Sequence, residues 1–164
     1  MVIWDFDEDK NYIEYNGYKV LDAKDYKKAV KLLEDIEITI RVLFEKLEQI
    51  NDERIKLLIN TPFQLQEMQK IKDQGTIKFV GLNKPKNIYK SNNKAIGNDK
   101  KYRAGKRLIF LTLRNKGGKL KNINNLKRLI AHELTHTALN HVTWKDDNHS
   151  EEFYQIYNLL LILL

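Results

Sequence analysis

Five consecutive residues, His132-Glu133-Leu134-Thr135-His136, carry the side chains best suited to chemistry in this sequence. On a helix, residues four apart stand one turn above each other on the same face. His132 and His136 can therefore offer two imidazole nitrogens to one tetrahedral ion. Glu133 is rotated from His132 by about 100°, which suits a carboxylate that takes a proton from water activated by the metal rather than one that binds the metal. Two histidines and a glutamate in this order form a zinc-hydrolase signature. The sequence has four histidines, His132, His136, His141 and His149, all within this one segment, and no cysteine to share metal duty.

A catalytic zinc usually takes three protein ligands and keeps a fourth position for water. The third ligand must come from beyond the motif, and His141, His149, Glu151 and Glu152 are the nearby candidates. His141 comes too late, on a continuing helix, to share the face of His136. His149 follows the polar break Lys145-Asp146-Asp147-Asn148 and precedes a second helical pattern from Ser150, so a turn there can carry it back over the first helix. On this spacing His149 leads, with the other three still open. Asp146 and Asp147 suit two roles, orienting a ligand histidine from behind or capping the helix that follows. Tyr154, Tyr157, His141 and Arg114 could each hydrogen-bond a developing oxyanion, and no spacing rule selects one.

These residues resemble a known family. His132-Glu133-Leu134-Thr135-His136, then Asn140-His141-Val142 and Trp144, then Asp147-Asn148-His149 and Phe153, look like the WLM branch of the SprT-like zinc metalloproteases, most of all the short versions encoded by large DNA viruses. Gly81-Leu82-Asn83-Lys84-Pro85-Lys86 and the run Arg107 to Arg114 look like the strands that precede the active-site helix in that family. The resemblance is strong from about Gly75 to Tyr157 and weak before it. It implies a minimal zincin-like fold, Zn2+ as cofactor, His132, His136 and His149 as metal ligands, and Glu133 as general base. It also implies protein substrates, among them proteins crosslinked to DNA.

The elements that must position this site can be read from periodicity. Asn125 to Ala131 lacks Gly and Pro, and its apolar residues run at three-to-four spacing into Leu134 and Ala138, which places the motif on a half-buried helix. Upstream, Tyr12 to Val20 predicts a hairpin turning at Asn16-Gly17. Ala23 to about Ile50 predicts a long amphipathic helix, Asp52 to Asn60 a second, and Phe63 to Ile71 a third that follows Pro62. Gly75 to Gly81 and Arg107 to Arg114 alternate as strands do, with a polar Lys- and Asn-rich loop from Lys84 to Lys106 between them. The Arg107–Arg114 stretch is either an exposed edge that takes a substrate by strand addition or the central strand of the sheet. Trp144 and Phe153 are expected to pack between the motif helix and the last one. Thr135 is expected to bond back to the preceding turn.

With 164 residues, 42% hydrophobic and 31% charged, the chain has the composition of a globular protein and the length of one domain. The expected architecture is α+β: a hairpin and helices over about 1–74, then a small twisted sheet, the motif helix and a closing helix over about 75–164. A net charge of +7 fits DNA contact through a basic surface. The positive charge is mostly lysine scattered among Asn and Ile, however, and arginine, the better phosphate reader, is sparse. The acidic start, Asp5 to Asp9, is unlike a signal peptide, and the run Leu159 to Leu164 is far short of a membrane span, so an intracellular protein with no membrane partner is expected. The absence of cysteine agrees with a reducing compartment. The leading expectation is a zinc-dependent endopeptidase. Its rivals are a nucleic-acid-binding module with a structural metal or none, and an interaction protein on an inactive protease fold.

Overall fold

The computed structural model describes residues 11–68, the backbone of 81–85, and residues 106–141 and 150–164. Strands β1 (Tyr12–Tyr15) and β2 (Tyr18–Leu21) form an antiparallel hairpin with Tyr15 opposite Tyr18. Asn16 and Gly17 between them have φ of 50° and 83°. Two successive positive φ angles make the tight turn whose twist matches that of the strands, and Asn-Gly adopts them at low cost. The Tyr18 hydroxyl donates to Glu37 at 3.1 Å, tying the hairpin to the next helix, and burial together with the Glu37 charge pushes its pKa up to about 12.

Helix α1 (Tyr26–Leu47) buries Ala29, Val30, Leu33, Ile36, Ile40, Leu43, Phe44 and Leu47, the three-to-four stripe of an amphipathic helix. Helix α2 (Glu53–Asn60) starts where the Asp52 carboxylate accepts from Arg54 N at 2.8 Å, satisfying one of the unpaired first-turn amides.

Beyond Pro62 the expected third helix is replaced by strand β3 (Phe63–Glu67). Phe63 and Leu65 are buried about a half-buried Gln64, but Gln66 and Glu67 are buried too; the strand forms because a partner is present to satisfy the extended backbone. That partner is β5 (Arg107–Leu111), which runs parallel to β3 with Phe63 opposite Arg107 and Glu67 opposite Leu111. Pro62 does not open a helix here; its carbonyl accepts from Arg107 N at 2.8 Å, and so begins the ladder.

Strand β4 (Gly81–Pro85) pairs with β5 from the other side, antiparallel, giving the order β3-β5-β4. Its start coincides with the end of the expected Gly75–Gly81 strand, and its last residues with the start of the expected polar loop; 75–80 and 86–105 lie outside the described residues. All of β5 is buried, as a strand covered on both faces must be. Over Arg107–Leu111 the stretch is therefore the centre of the sheet among the described residues and not an edge open to strand addition. Past Leu111, among the described residues, the stretch forms a bridge from Arg114 to Leu120, flanked by the Lys121 amide bonding to the Leu113 carbonyl at 2.8 Å.

A short 3-10 turn, Ile123–Leu126, leads into α3 (Lys127–Ala138), the helix that carries the motif. Helix α4 (Glu151–Leu163) packs on α3 and is pinned at both ends. Ser150 Oγ accepts from Phe153 N at 3.3 Å at its start, Arg54 of α2 reaches Glu152 at 3.1 Å, and Lys46 of α1 donates to the Leu163 carbonyl at 2.8 Å. One apolar cluster runs through these elements, from Val20 and Leu33 by way of Leu65 and Ile109 to Ile130, Leu134 and Leu160. The architecture is mixed α+β. Among the described residues no helix is long and apolar enough to cross a membrane.

Candidate metal centre

Helix α3 presents its motif as the spacing predicts. His132 Nε2 and His136 Nε2 lie 3.2 Å apart. Two nitrogens held at about 2.0–2.1 Å from one tetrahedral ion would be separated by about 3.3 Å, so the pair has the spacing of two ligands of a single zinc. The His136 side chain belongs to a buried residue, while that of His132 is about a third exposed, leaving an approach from solvent on its side. Glu133 is buried, and its Oε2 stands 3.8 Å from His132 Nε2. It is close to the point where the two imidazoles converge without sharing their face.

The rings are held from the side by α4. Phe153, buried, has its centroid 5.1 Å from that of His132 and 5.0 Å from that of His136. Tyr157 stacks on Phe153 at 6.2 Å and 16°. The expected packing role of Phe153 is met, and it falls on the two histidines themselves. Thr135 is buried, and its hydroxyl donates to the Ala131 carbonyl at 2.6 Å, as expected of a β-hydroxyl inside a helix.

The end of α3 differs from the sequence expectation. The helix stops at Ala138, and Asn140 takes a left-handed φ of 57°. The Asn140 amide then bonds to the Thr137 carbonyl at 3.0 Å, and the His141 amide to the His136 carbonyl at 2.9 Å. This paired pattern closes a helix by folding the chain back over its last turn. It returns His141 to His136, with the two Nδ1 atoms 2.7 Å apart. The expectation that His141 stands away from the motif face assumed a continuing helix. Because the contact is made to Nδ1, on the opposite side of the His136 ring from Nε2, His141 Nδ1 does not serve an ion lying between the two Nε2 atoms.

Arg107 secures this turn from the sheet. Its guanidinium, on a buried residue, donates through Nη1 to the His141 carbonyl and through Nη2 to Asn140 Oδ1 at 3.2 Å. Sequence reasoning missed Arg107 and Asn140. The one local signal was an asparagine just past the last apolar repeat, a residue that tolerates the left-handed cap.

The remaining candidates separate clearly. Glu151 and Glu152 are exposed on the first turn of α4, and Glu152 pairs with Arg54. Arg114, an oxyanion candidate by sequence, is held by Glu67 at 2.8 Å and Asp25 at 2.7 Å. His149, Trp144, Asp146 and Asp147 lie outside the described residues. Among the described residues no group of three His, Cys, Asp or Glu side chains is placed to hold a metal; the motif brings two imidazoles and a neighbouring carboxylate together. No protein family, curated protein or solved structure matches the chain.

Proposed function

We propose that the protein is a zinc-dependent endopeptidase with a zincin-like site, in which His132, His136 and His149 hold zinc and Glu133 is the general base. The observation that carries this reading is the convergence of His132 Nε2 and His136 Nε2 to 3.2 Å beside the buried Glu133 carboxylate. A bound zinc would supply Lewis acidity, lowering the pKa of a water and polarising the scissile carbonyl. Glu133 takes the proton that the water loses as its oxygen bonds to the carbonyl carbon, and delivers it to the amine as the C–N bond breaks. Phe153 keeps bulk water from one side of the imidazoles and fixes their ring planes.

The resemblance to WLM proteases supplies His149 as the third ligand and proteins crosslinked to DNA as the substrate class. Helix α3 contacts β4, an outer strand of the sheet among the described residues and antiparallel to its neighbour. An extended substrate therefore pairs along β4 rather than along β5. A complex with a substrate-derived peptide lying elsewhere would overturn that placement.

The test of the reaction is Glu133→Gln. Peptide hydrolysis should fall by roughly 10²–10⁴-fold while bound zinc per chain stays at the parent value. Hydrolysis at the parent rate removes Glu133 from its role. A parent protein that binds zinc but cleaves nothing, with or without DNA, supports the inactive interaction protein instead. One that binds no zinc but binds DNA with a steep salt dependence supports the nucleic-acid module.

A further inference from the structure

The metal-site reading leaves three arranged residues without a role: Arg107, Asn140 and His141. We infer that His141 is a positioning residue for the zinc ligand His136, acting through the Nδ1 contact, and that Arg107 fixes it there. The inference rests on the proposed zinc site and adds to it the group that sets the tautomer of one ligand.

Two imidazole nitrogens 2.7 Å apart need one N–H between them, since two lone pairs at that distance repel. A neutral imidazole carries one N–H. If His141 supplied the proton, His136 would accept through Nδ1 and carry its own proton on Nε2, the atom that faces His132. That tautomer has no lone pair for a metal. If His136 donates from Nδ1, its Nε2 lone pair points at the site and His141 Nδ1 is the acceptor. Such a hydrogen bond behind a ligand imidazole fixes both its tautomer and its ring plane.

The acceptor is held in place by backbone, not by its own side chain alone. The His141 amide is bonded to the His136 carbonyl at 2.9 Å, so the two residues are tied at main chain and side chain together. Arg107 in turn grips the His141 carbonyl and Asn140 Oδ1. Arg107 lies at the first position of the central strand, opposite Phe63 and Pro85, where the sheet leaves it little room to move.

The test measures the zinc dissociation constant by competition with a chromophoric chelator in the parent, His141→Ala and His141→Asn, alongside thermal melts of the zinc-free proteins. Asparagine places Oδ1 where histidine has Nδ1, so it retains the acceptor. His141→Ala should bind zinc roughly 10–100-fold more weakly, His141→Asn should recover most of that loss, and the melting temperatures should not follow the same order. With Co2+ in place of zinc, the absorption spectrum should keep its shape in both variants, because the ligand set is unchanged. Parent-like affinity in His141→Ala, or equal loss in both variants, overturns the inference. So does a cobalt spectrum that loses a nitrogen ligand, which would make His141 a ligand itself. A parent that takes up no zinc fails at the earlier step and is recognised before any variant is compared.

Discussion

The central strand of the sheet has an arginine at its first position and another three residues past its last, and the two arginines do opposite work. Arg114 meets carboxylates: Glu67 at the end of β3 and Asp25 just before α1. Burial alone would lower the Arg114 pKa, but hydrogen bonds and charge from Glu67 and Asp25 outweigh it and hold it above the ordinary value. Glu67 also accepts from Leu21 N at 2.9 Å, and its carbonyl accepts from the Tyr12 hydroxyl at 2.8 Å. This network clamps hairpin, helix and sheet. Arg107 instead donates to a carbonyl and an amide oxygen in the turn that ends α3. One arginine closes the fold, and the other holds the turn that returns His141 to His136.

The comparison can be broken most forcefully at Arg114. Arg114→Met leaves Glu67, whose side chain is 1% exposed, as a buried carboxylate with its cation gone. Unfolding in urea should show a loss of about 3–5 kcal/mol, while zinc affinity of the folded protein stays at the parent value. Arg107→Met should lower both stability and zinc affinity. If the two variants affect zinc equally, the division of labour is wrong.

A smaller effect sharpens the Arg107 side. Asn140→Ala places a Cβ-bearing residue without a local hydrogen bond at φ 57°, which costs about 1–2 kcal/mol relative to Asn140→Gly. Both variants lose the oxygen that meets Arg107, so the difference between their urea midpoints isolates the left-handed cap. Equal midpoints would show that the cap does not hold the turn.

The smallest effect belongs to Asp52, which joins neither arginine. Its hydrogen bonds from the Arg54 side chain, more than those from backbone amides, hold its pKa at about 2 against an ordinary 3.8. A carboxyl whose folded pKa is depressed stabilises the fold above its unfolded value and loses that contribution as pH falls through the folded one. Stability should therefore decline between about pH 4 and pH 2 in the parent. The size should be at most about 1 kcal/mol, because the side chain is 27% exposed. Asp52→Asn keeps the helix cap and should flatten that part of the pH profile; an unchanged slope assigns the acid sensitivity to other carboxyls.

Much of the site was legible because it is local. His132, Glu133 and His136 belong to one helix, and helical geometry alone converts their spacing into a shared face. The hairpin was legible for the same reason, since Asn16-Gly17 states its turn in two residues. Helices α1, α2 and α4 announced themselves through apolar period and the breaks between them, within a few residues of their observed ends. Phe63–Glu67 was not legible as a strand, because five residues after a proline do not declare a period, and their state depends on β5, some forty positions away.

What the sequence determined by itself is therefore the pair of imidazoles, the adjacent carboxylate and the helices around them, all set by interactions within a turn or two of chain. Tertiary structure decided that β5 is central, that Arg114 is locked among carboxylates, and that His141 lies behind His136. Those outcomes turn on where a helix stops and on which distant strand satisfies a backbone. Both are settled by burial and hydrogen-bond satisfaction across the whole fold, which no short stretch of residues contains.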